Sequence, residues 1–222
     1  MKADLHIPKA ISSRSAFKNK FGLGEMYRAF IYIPKATIRM IENNKSQLVD
    51  KDFVKRLQLA VTEVNGCAIC SYGHAKMALR LGMSGEEINS FLGGENHFIK
   101  PKEAIAILFA QHYSDSRGYP KKYAYDAIIK EYGKQEARII LSVVQIITVG
   151  NMLGIPFSAF QSRLKGKPYN DSSLFFELGT LIIGILLLPI AIIHGLLRGL
   201  FGLPNVRLDN NKTNEQNGWN EK

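Results

Sequence analysis

An all-α bundle with a hydrophobic, membrane-spanning C-terminal helix is the fold class this sequence predicts. Three observations predict it. Apolar residues recur from residue 24 to residue 164 at the three- and four-residue spacing of one helix face. Val, Ile and Thr occur throughout, yet no stretch alternates with period two between hairpin turn residues. Residues 178–197 contain no Lys, Arg, Asp or Glu.

The elements follow in chain order. Residues 1–22 are polar and basic and read as a partly ordered arm. After Gly24, Met26, Phe30, Ile33, Ile38 and Ile41 keep helical spacing, and Pro34 kinks or divides the segment. Asn43, Asn44 and Ser46 punctuate its end. A second helix starts with Asp50 or Asp52 as N-cap, and places Phe53, Leu57, Ala60, Val61 and Val64 on one face. Asn65-Gly66 supplies a left-handed stop.

The next helix opens at Cys67 and continues through Met77, Ala78 and Leu81, joining its polar face to an apolar stripe, and Gly82 ends it. Ser84-Gly85-Glu86-Glu87 reads as a capping box for a short helix that closes at Gly93-Gly94. A polar loop with His97 leads to Pro101 and the run KEAIAILFAQHY. Residues 114–119 form a loop, Pro120 starts a helix to Gly133, and 134–151 is strongly apolar. A second segment continues past Gly154-Ile155-Pro156 to residue 164. The domain thus covers 23–168, the membrane helix 173–203, and an Asn-rich disordered tail 204–222.

The twenty residues of 178–197 span about 30 Å as a helix, the thickness of a bilayer core. They are apolar all round, where a buried soluble helix keeps a polar stripe. Pro189 and three glycines suit a membrane helix better than a soluble one. Basic residues flank both ends, so charge does not orient it. The expected arrangement is a single-pass anchor with the preceding domain cytoplasmic and membrane lipid as a partner.

Bulk composition agrees. With 222 residues, 46% hydrophobic and 22% charged, the chain is globular and long enough for one core. Its net charge of +10 suits an anionic membrane face. No Lys/Arg run with interleaved aromatics marks a nucleic-acid footprint, so no nucleic-acid partner is expected. Two cysteines are too few for a disulfide-stapled secreted fold, and the N-terminal stretch has no apolar signal region. A reducing compartment is the expectation.

Both cysteines lie in Asn65-Gly66-Cys67-Ala68-Ile69-Cys70-Ser71-Tyr72-Gly73-His74. With Cys67 opening a helix, Cys67, Cys70 and His74 fall at i, i+3 and i+7, on one face. The first helical turn carries free N–H groups and partial positive charge, which favour a thiolate. His74, one turn beyond Cys70, is in reach as a base. A zinc site remains open with these three as ligands, but no second CxxC or HxxxH completes it. Attachment of a c-type haem needs histidine at position 71, which is Ser71. A thioredoxin-type site needs a βαβ setting, and the surroundings are helical. Thiol redox chemistry at Cys67, Cys70 and His74 is the reading, with no metal or cofactor expected.

The segment TEVNGCAICSYGHAKMALRLGMSGEEI resembles the alkylhydroperoxidase AhpD-like family of the carboxymuconolactone decarboxylase superfamily. The likeness rests on the Asn-Gly-Cys-x-x-Cys-x-x-x-His core, the helix before it and the Gly-Met-Ser-x-x-Glu-Ile turn after it, and covers about residues 24–165. It implies an all-α homo-oligomer that reduces hydroperoxides, with a dithiol or lipoyl-type electron donor. It also implies roles: Cys70 attacks, Cys67 resolves the product as a disulfide, and His74 relays the proton. Better-known members place a histidine between the cysteines, where this chain has Ile69. They place a glutamate twelve residues before the first cysteine, where it has Lys55. Glu63 either stands in for that carboxylate or is a solvent-facing helix residue.

The alternative function is a non-enzymatic, membrane-associated protein that senses oxidants or binds a partner through the same cysteine pair. His6, His97, His112 and His194 read as incidental, the last reaching toward the membrane interface. Met26, Met40, Met77, Met83 and Met152 read as core filler.

Overall fold

The structure, a computed structural model, describes residues 15–95 and 97–210. Among these residues there are eight α-helices and no named strand: α1 (Leu23–Phe30), α2 (Ile33–Ser46), α3 (Lys51–Asn65), α4 (Ala68–Arg80), α5 (Gly85–Gly93), α6 (Ala104–Asp115), α7 (Lys122–Leu164) and α8 (Leu174–Leu200). A short 3-10 turn, Pro101–Glu103, leads into α6.

Local chemistry sets most boundaries. Asp50 caps α3 by accepting from the Phe53 N–H at 2.7 Å. Gly66 ends it at φ 74°, a left-handed conformation that glycine adopts without a Cβ clash. Ser84 caps α5 through the Glu87 N–H. The Glu87 carboxylate does not complete a capping box; it turns to Arg56 instead. Gly133, at φ 74°, breaks α7 into 122–132 and 134–164. The second half runs unbroken through Pro156, whose missing N–H leaves one helical bond unmade. The division of α1 from α2 falls at Ile31-Tyr32, so Pro34 sits in the first turn of α2, where its lost N–H costs nothing.

The 134–164 half of α7 is the central pillar, packed by α2, α3, α4, α6 and α8. Leu57, Leu59, Ile88, Ile107, Ile140 and Leu141 are fully or almost fully buried around it. A second apolar cluster joins Met26 and Phe30 of α1, Met152 and Ile155 of α7, Ala191 of α8, and Cys67. Arg56 and Glu103, both almost fully buried, tie α3 to the start of α6 through two guanidinium–carboxylate bonds.

Among the described residues, two helices are long and apolar enough to cross a membrane, α7 and α8. The apolar window of α7 is 78% buried, which makes it the core helix; that of α8 is 22% buried. Along α8, Glu177, Gly184, Ala191 and Gly195 form the buried stripe. Gly195 admits the Ile31 carbonyl at an approach no Cβ would allow, and Gly184 admits the end of Met26 almost as closely, with Leu153 in tight contact. Ile182, Ile185, Leu186, Ile190, Ile193 and Leu200 are exposed, while Leu181, Leu187, Leu188 and Ile192 are half-buried. Both ends of α8 are fastened to the domain. Glu177 pairs with Arg163 of α7, and Asn205 donates to the Tyr32 carbonyl and to Gln145 Oε1.

Several sequence expectations are corrected here. Residues 205–210 are not a disordered tail: Asp209 exchanges backbone bonds with Pro120 and Lys122. The arm is pinned at 15–22, where Asn19 donates to the Val64 carbonyl and Phe21 is buried; 1–14 and 211–222 lie outside the described residues. Ile38 and Ile41 face outward, each 53% exposed, because α2 turns Ala36 and Asn43 inward. Met77 and Leu81 are also exposed, and Ala75 and Ala78 make the inner face of α4. Met77 is therefore not core filler. His194 is exposed, as expected, and also bonds Tyr27 through Nδ1 at 2.9 Å.

Candidate functional site

Cys67 is the N-cap of α4, with extended backbone angles, and Cys70 stands one turn inside the helix. The two sulfurs are joined as a disulfide, with Cα atoms 5.2 Å apart. Cys67 Sγ occupies the place of a capping oxygen and accepts from the Cys70 N–H at 3.3 Å. Ser158 Oγ accepts from the Ile69 N–H at 3.2 Å and donates to the Gly154 carbonyl at 2.8 Å. The first turn of α4, the positive end of its dipole, is therefore bolted to α7 at the level of the sulfurs.

Gly154 makes this approach possible. A Cβ there would stand 2.5 Å from Cys70 Sγ and 2.6 Å from Cys67 Sγ. The bare backbone of α7 thus forms the wall behind the disulfide. Cys67 has no solvent exposure, whereas Cys70 is partly exposed. The surroundings are apolar: Ile69 and Leu153 pack with Cys70 against the second cluster.

The structure places His74 one turn beyond Cys70 on α4, as the spacing predicted. It is largely buried, and burial together with the nearby Lys55 ammonium lowers its pKa from 6.5 to about 4. At neutral pH the imidazole is uncharged, and its lowered pKa makes it a weak base, able to pass a proton on but not to hold one. Its Nδ1 is buried and has no hydrogen-bond partner among the described residues. The same holds for both amide atoms of Asn65, which is fully buried two residues before Cys67. Lys55 is buried, bonds Gln58 Oε1 at 2.7 Å, and is held below the usual lysine pKa by desolvation. Glu63 pairs with Lys18 and packs near Gly94, so it is an arm-facing carboxylate rather than a relay group beside the cysteines.

Sequence reasoning pointed to Cys67, Cys70 and His74 as the site and missed Gly154 and Ser158, which pack against the cysteine pair. The available signal for Gly154 was a glycine inside a long apolar helical run, a position that costs about 1 kcal/mol relative to alanine unless something approaches closely. Ser158, one turn further on, carried no signal of its own. Among the described residues, no three His, Cys, Asp or Glu side chains converge as a metal site.

Comparison of the chain with protein-family models, with curated proteins and with solved structures finds no match.

Proposed function

We propose that the chain is a thiol-dependent hydroperoxide reductase of the AhpD-like type, working at a membrane surface. One observation carries this reading: two sulfurs bridged across the first turn of a helix, with only the second reaching solvent. In the reduced state Cys70 is the accessible thiol, and its place in the first turn of α4 favours the thiolate. The thiolate attacks the distal oxygen of ROOH; the O–O bond breaks, leaving a sulfenic acid on Cys70 and releasing ROH once the alkoxide gains a proton. Cys67 then displaces water from the sulfenic acid to form the disulfide. A dithiol donor restores both thiols by exchange. The neutral His74 takes the Cys70 proton and returns one to the leaving oxygen.

The apolar rim of Ile69 and Leu153 suits an organic hydroperoxide better than hydrogen peroxide. Reduction of cumene hydroperoxide with dihydrolipoamide or dithiothreitol tests the reading. Wild type should turn over, while Cys70→Ser and Cys67→Ser lose multiple turnover and His74→Ala slows it by about 10²-fold or more. Wild-type rates equal to those of Cys70→Ser would refute the enzyme. A reversible disulfide without turnover would leave the oxidant sensor, a reading favoured by one fact: Cys67 shares its apolar cluster with Ala191, Leu187 and Leu188 of α8.

For the membrane, we read α8 as lying along the bilayer surface with its outer face inserted, in the manner of a monotopic helix. A single crossing with the domain cytoplasmic would part residues 204–210 from Tyr32, Pro120 and Gln145, to which they bond. In sealed vesicles an epitope tag after residue 222 should be cleaved from the same side as the domain; cleavage from opposite sides restores the single-pass anchor.

A further inference from the structure

Where α8 leaves Gly195, a groove of about 350 Å³ opens between it and α2. Its walls are Ile38, Leu196 and Leu200, with exposures of 53%, 49% and 82%. Gly195 and Gly199 form the floor. The two glycines differ in an informative way. Gly195 is needed for packing, since its missing side chain admits the Ile31 carbonyl. A Cβ on Gly199 would meet nothing within 4 Å, so glycine there serves no helix contact and leaves the groove deep.

At its far side the groove opens past Arg39 into a polar basin of about 510 Å³, bordered by Lys134 and Arg138. Lys35 stands on the groove wall, and Arg198 lies on the next turn of α8. Among the described residues, none of these five cations has a carboxylate within ion-pair distance. Glu42 is the single acid on the lining of either cavity. The crowding has a cost: burial and the neighbouring arginines hold the Lys35 pKa below its ordinary value, and burial and Arg138 do the same for Arg39. An anion among them would relieve that repulsion. An apolar trough continuous with a basic basin is complementary to a ligand with a hydrocarbon chain and a phosphate head.

We propose that the α2–α8 groove binds one anionic phospholipid. An acyl chain lies over Gly199 between Ile38, Leu196 and Leu200, and the phosphate sits among Lys35, Arg39 and Arg138. This rests on the reading of α8 as the bilayer-facing helix: the groove opens on its exposed side, so a lipid would enter it laterally. It is independent of the thiol chemistry.

The full chain in a mild non-ionic detergent tests this by native mass spectrometry and thermal unfolding. Phosphatidylglycerol should be retained as a single adduct, in preference to phosphatidylcholine by roughly tenfold or more, and should raise the melting temperature. Gly199→Leu fills the groove at a position where the fold has room, and should remove the adduct while melting without lipid is unchanged. The paired change Arg39→Gln with Arg138→Gln should abolish the headgroup preference. Retention of the lipid by both variants overturns the proposal, as does equal retention of phosphatidylcholine. Equal stabilisation by millimolar inorganic phosphate alone would also overturn it, by reducing the site to a simple anion patch.

Discussion

Gly154→Ala isolates the contact between α7 and the disulfide. The added methyl would need to move from 2.5 Å to about 3.4 Å from Cys70 Sγ, a shift of about 0.9 Å. Neither side yields easily: α7 is the core pillar, and Cys67 is fully buried at the cap of α4. Overpacking of this kind costs about 1–3 kcal/mol. The alanine also gains about 1 kcal/mol of helix propensity, but that gain is common to both redox states and cancels in their difference. Reduction frees Cys70 Sγ, on the solvent side, to rotate away from the methyl. The clash with the buried Cys67 Sγ, 2.6 Å from the same Cβ, persists in both states, so reduction relieves only the Cys70 share of the strain, and by that share the disulfide becomes easier to reduce. At 30 mV per 1.4 kcal/mol, full relief corresponds to a rise in potential of roughly 20–60 mV, the ceiling for the Cys70 share. Equilibration in dithiothreitol buffers of graded ratio, with thiols counted by alkylation, reads that number directly. Gly150→Ala is the control, since a Cβ there meets nothing within 4 Å on the same helix. It should stabilise both states by about 0.5–1 kcal/mol and leave the potential unchanged. A Gly154→Ala potential equal to wild type, with both redox forms melting alike, would refute the assigned contact.

Other perturbations test the frame around the site. His74 titrates near 4 in the folded chain against about 6.5 when unfolded, so its neutral form is the one that folding favours. Its contribution, on the order of 3 kcal/mol, is fully present above pH 6.5 and is lost as pH falls toward 4; His74→Gln should flatten that limb in urea titrations run from pH 7 to pH 4. Glu103→Gln leaves the buried Arg56 with only the Glu87 carboxylate and should cost about 3 kcal/mol by chemical denaturation. Removing the exposed Lys122–Asp126 pair should cost no more than about 0.5 kcal/mol, and equal losses would show that burial is not what matters. Gly195→Val should drive α8 away from the Ile31 carbonyl, seen as faster amide exchange along α8 with the α3–α6 core still protected.

The parts of the fold that could be read from sequence are those whose cause is local. Asp50, Gly66, Gly82, Ser84, Gly94 and Gly133 each act within one turn of chain, by a side-chain cap or a left-handed backbone, and each marks an element boundary in the structure. The Cys67–Cys70 pair was legible for the same reason, because the cap and first turn of one helix bring the two sulfurs together without help from the rest of the fold. Gly154 was not, since its role depends on a helix 84 residues away in sequence arriving against two sulfurs. The Arg56–Glu103 pair spans 47 residues and was equally invisible. Ile38 and Ile41 failed differently. Their spacing is helical, but spacing names a face without saying which neighbour covers it, and α2 buries the opposite one.

The C-terminal segment shows where a length criterion stops. By composition, 178–197 has the signature of a spanning helix, and nothing in twenty apolar residues says whether they cross a bilayer or rest in it. The decisive facts lie outside the segment. Glu177 reaches Arg163 at one end and Asn205 reaches Gln145 at the other, so the helix is held at both ends by one domain. Between them Gly184, Ala191 and Gly195 keep it within backbone distance of α1 and the α1–α2 junction. Separating α8 from the domain to cross a bilayer alone would break both ends and expose that small-residue stripe, while the surface posture proposed above would preserve every contact and still offer its outer isoleucines and leucines to lipid. Cys67 and α8 share one apolar cluster, so in the proposed posture the cysteine pair would sit directly behind the helix that meets lipid.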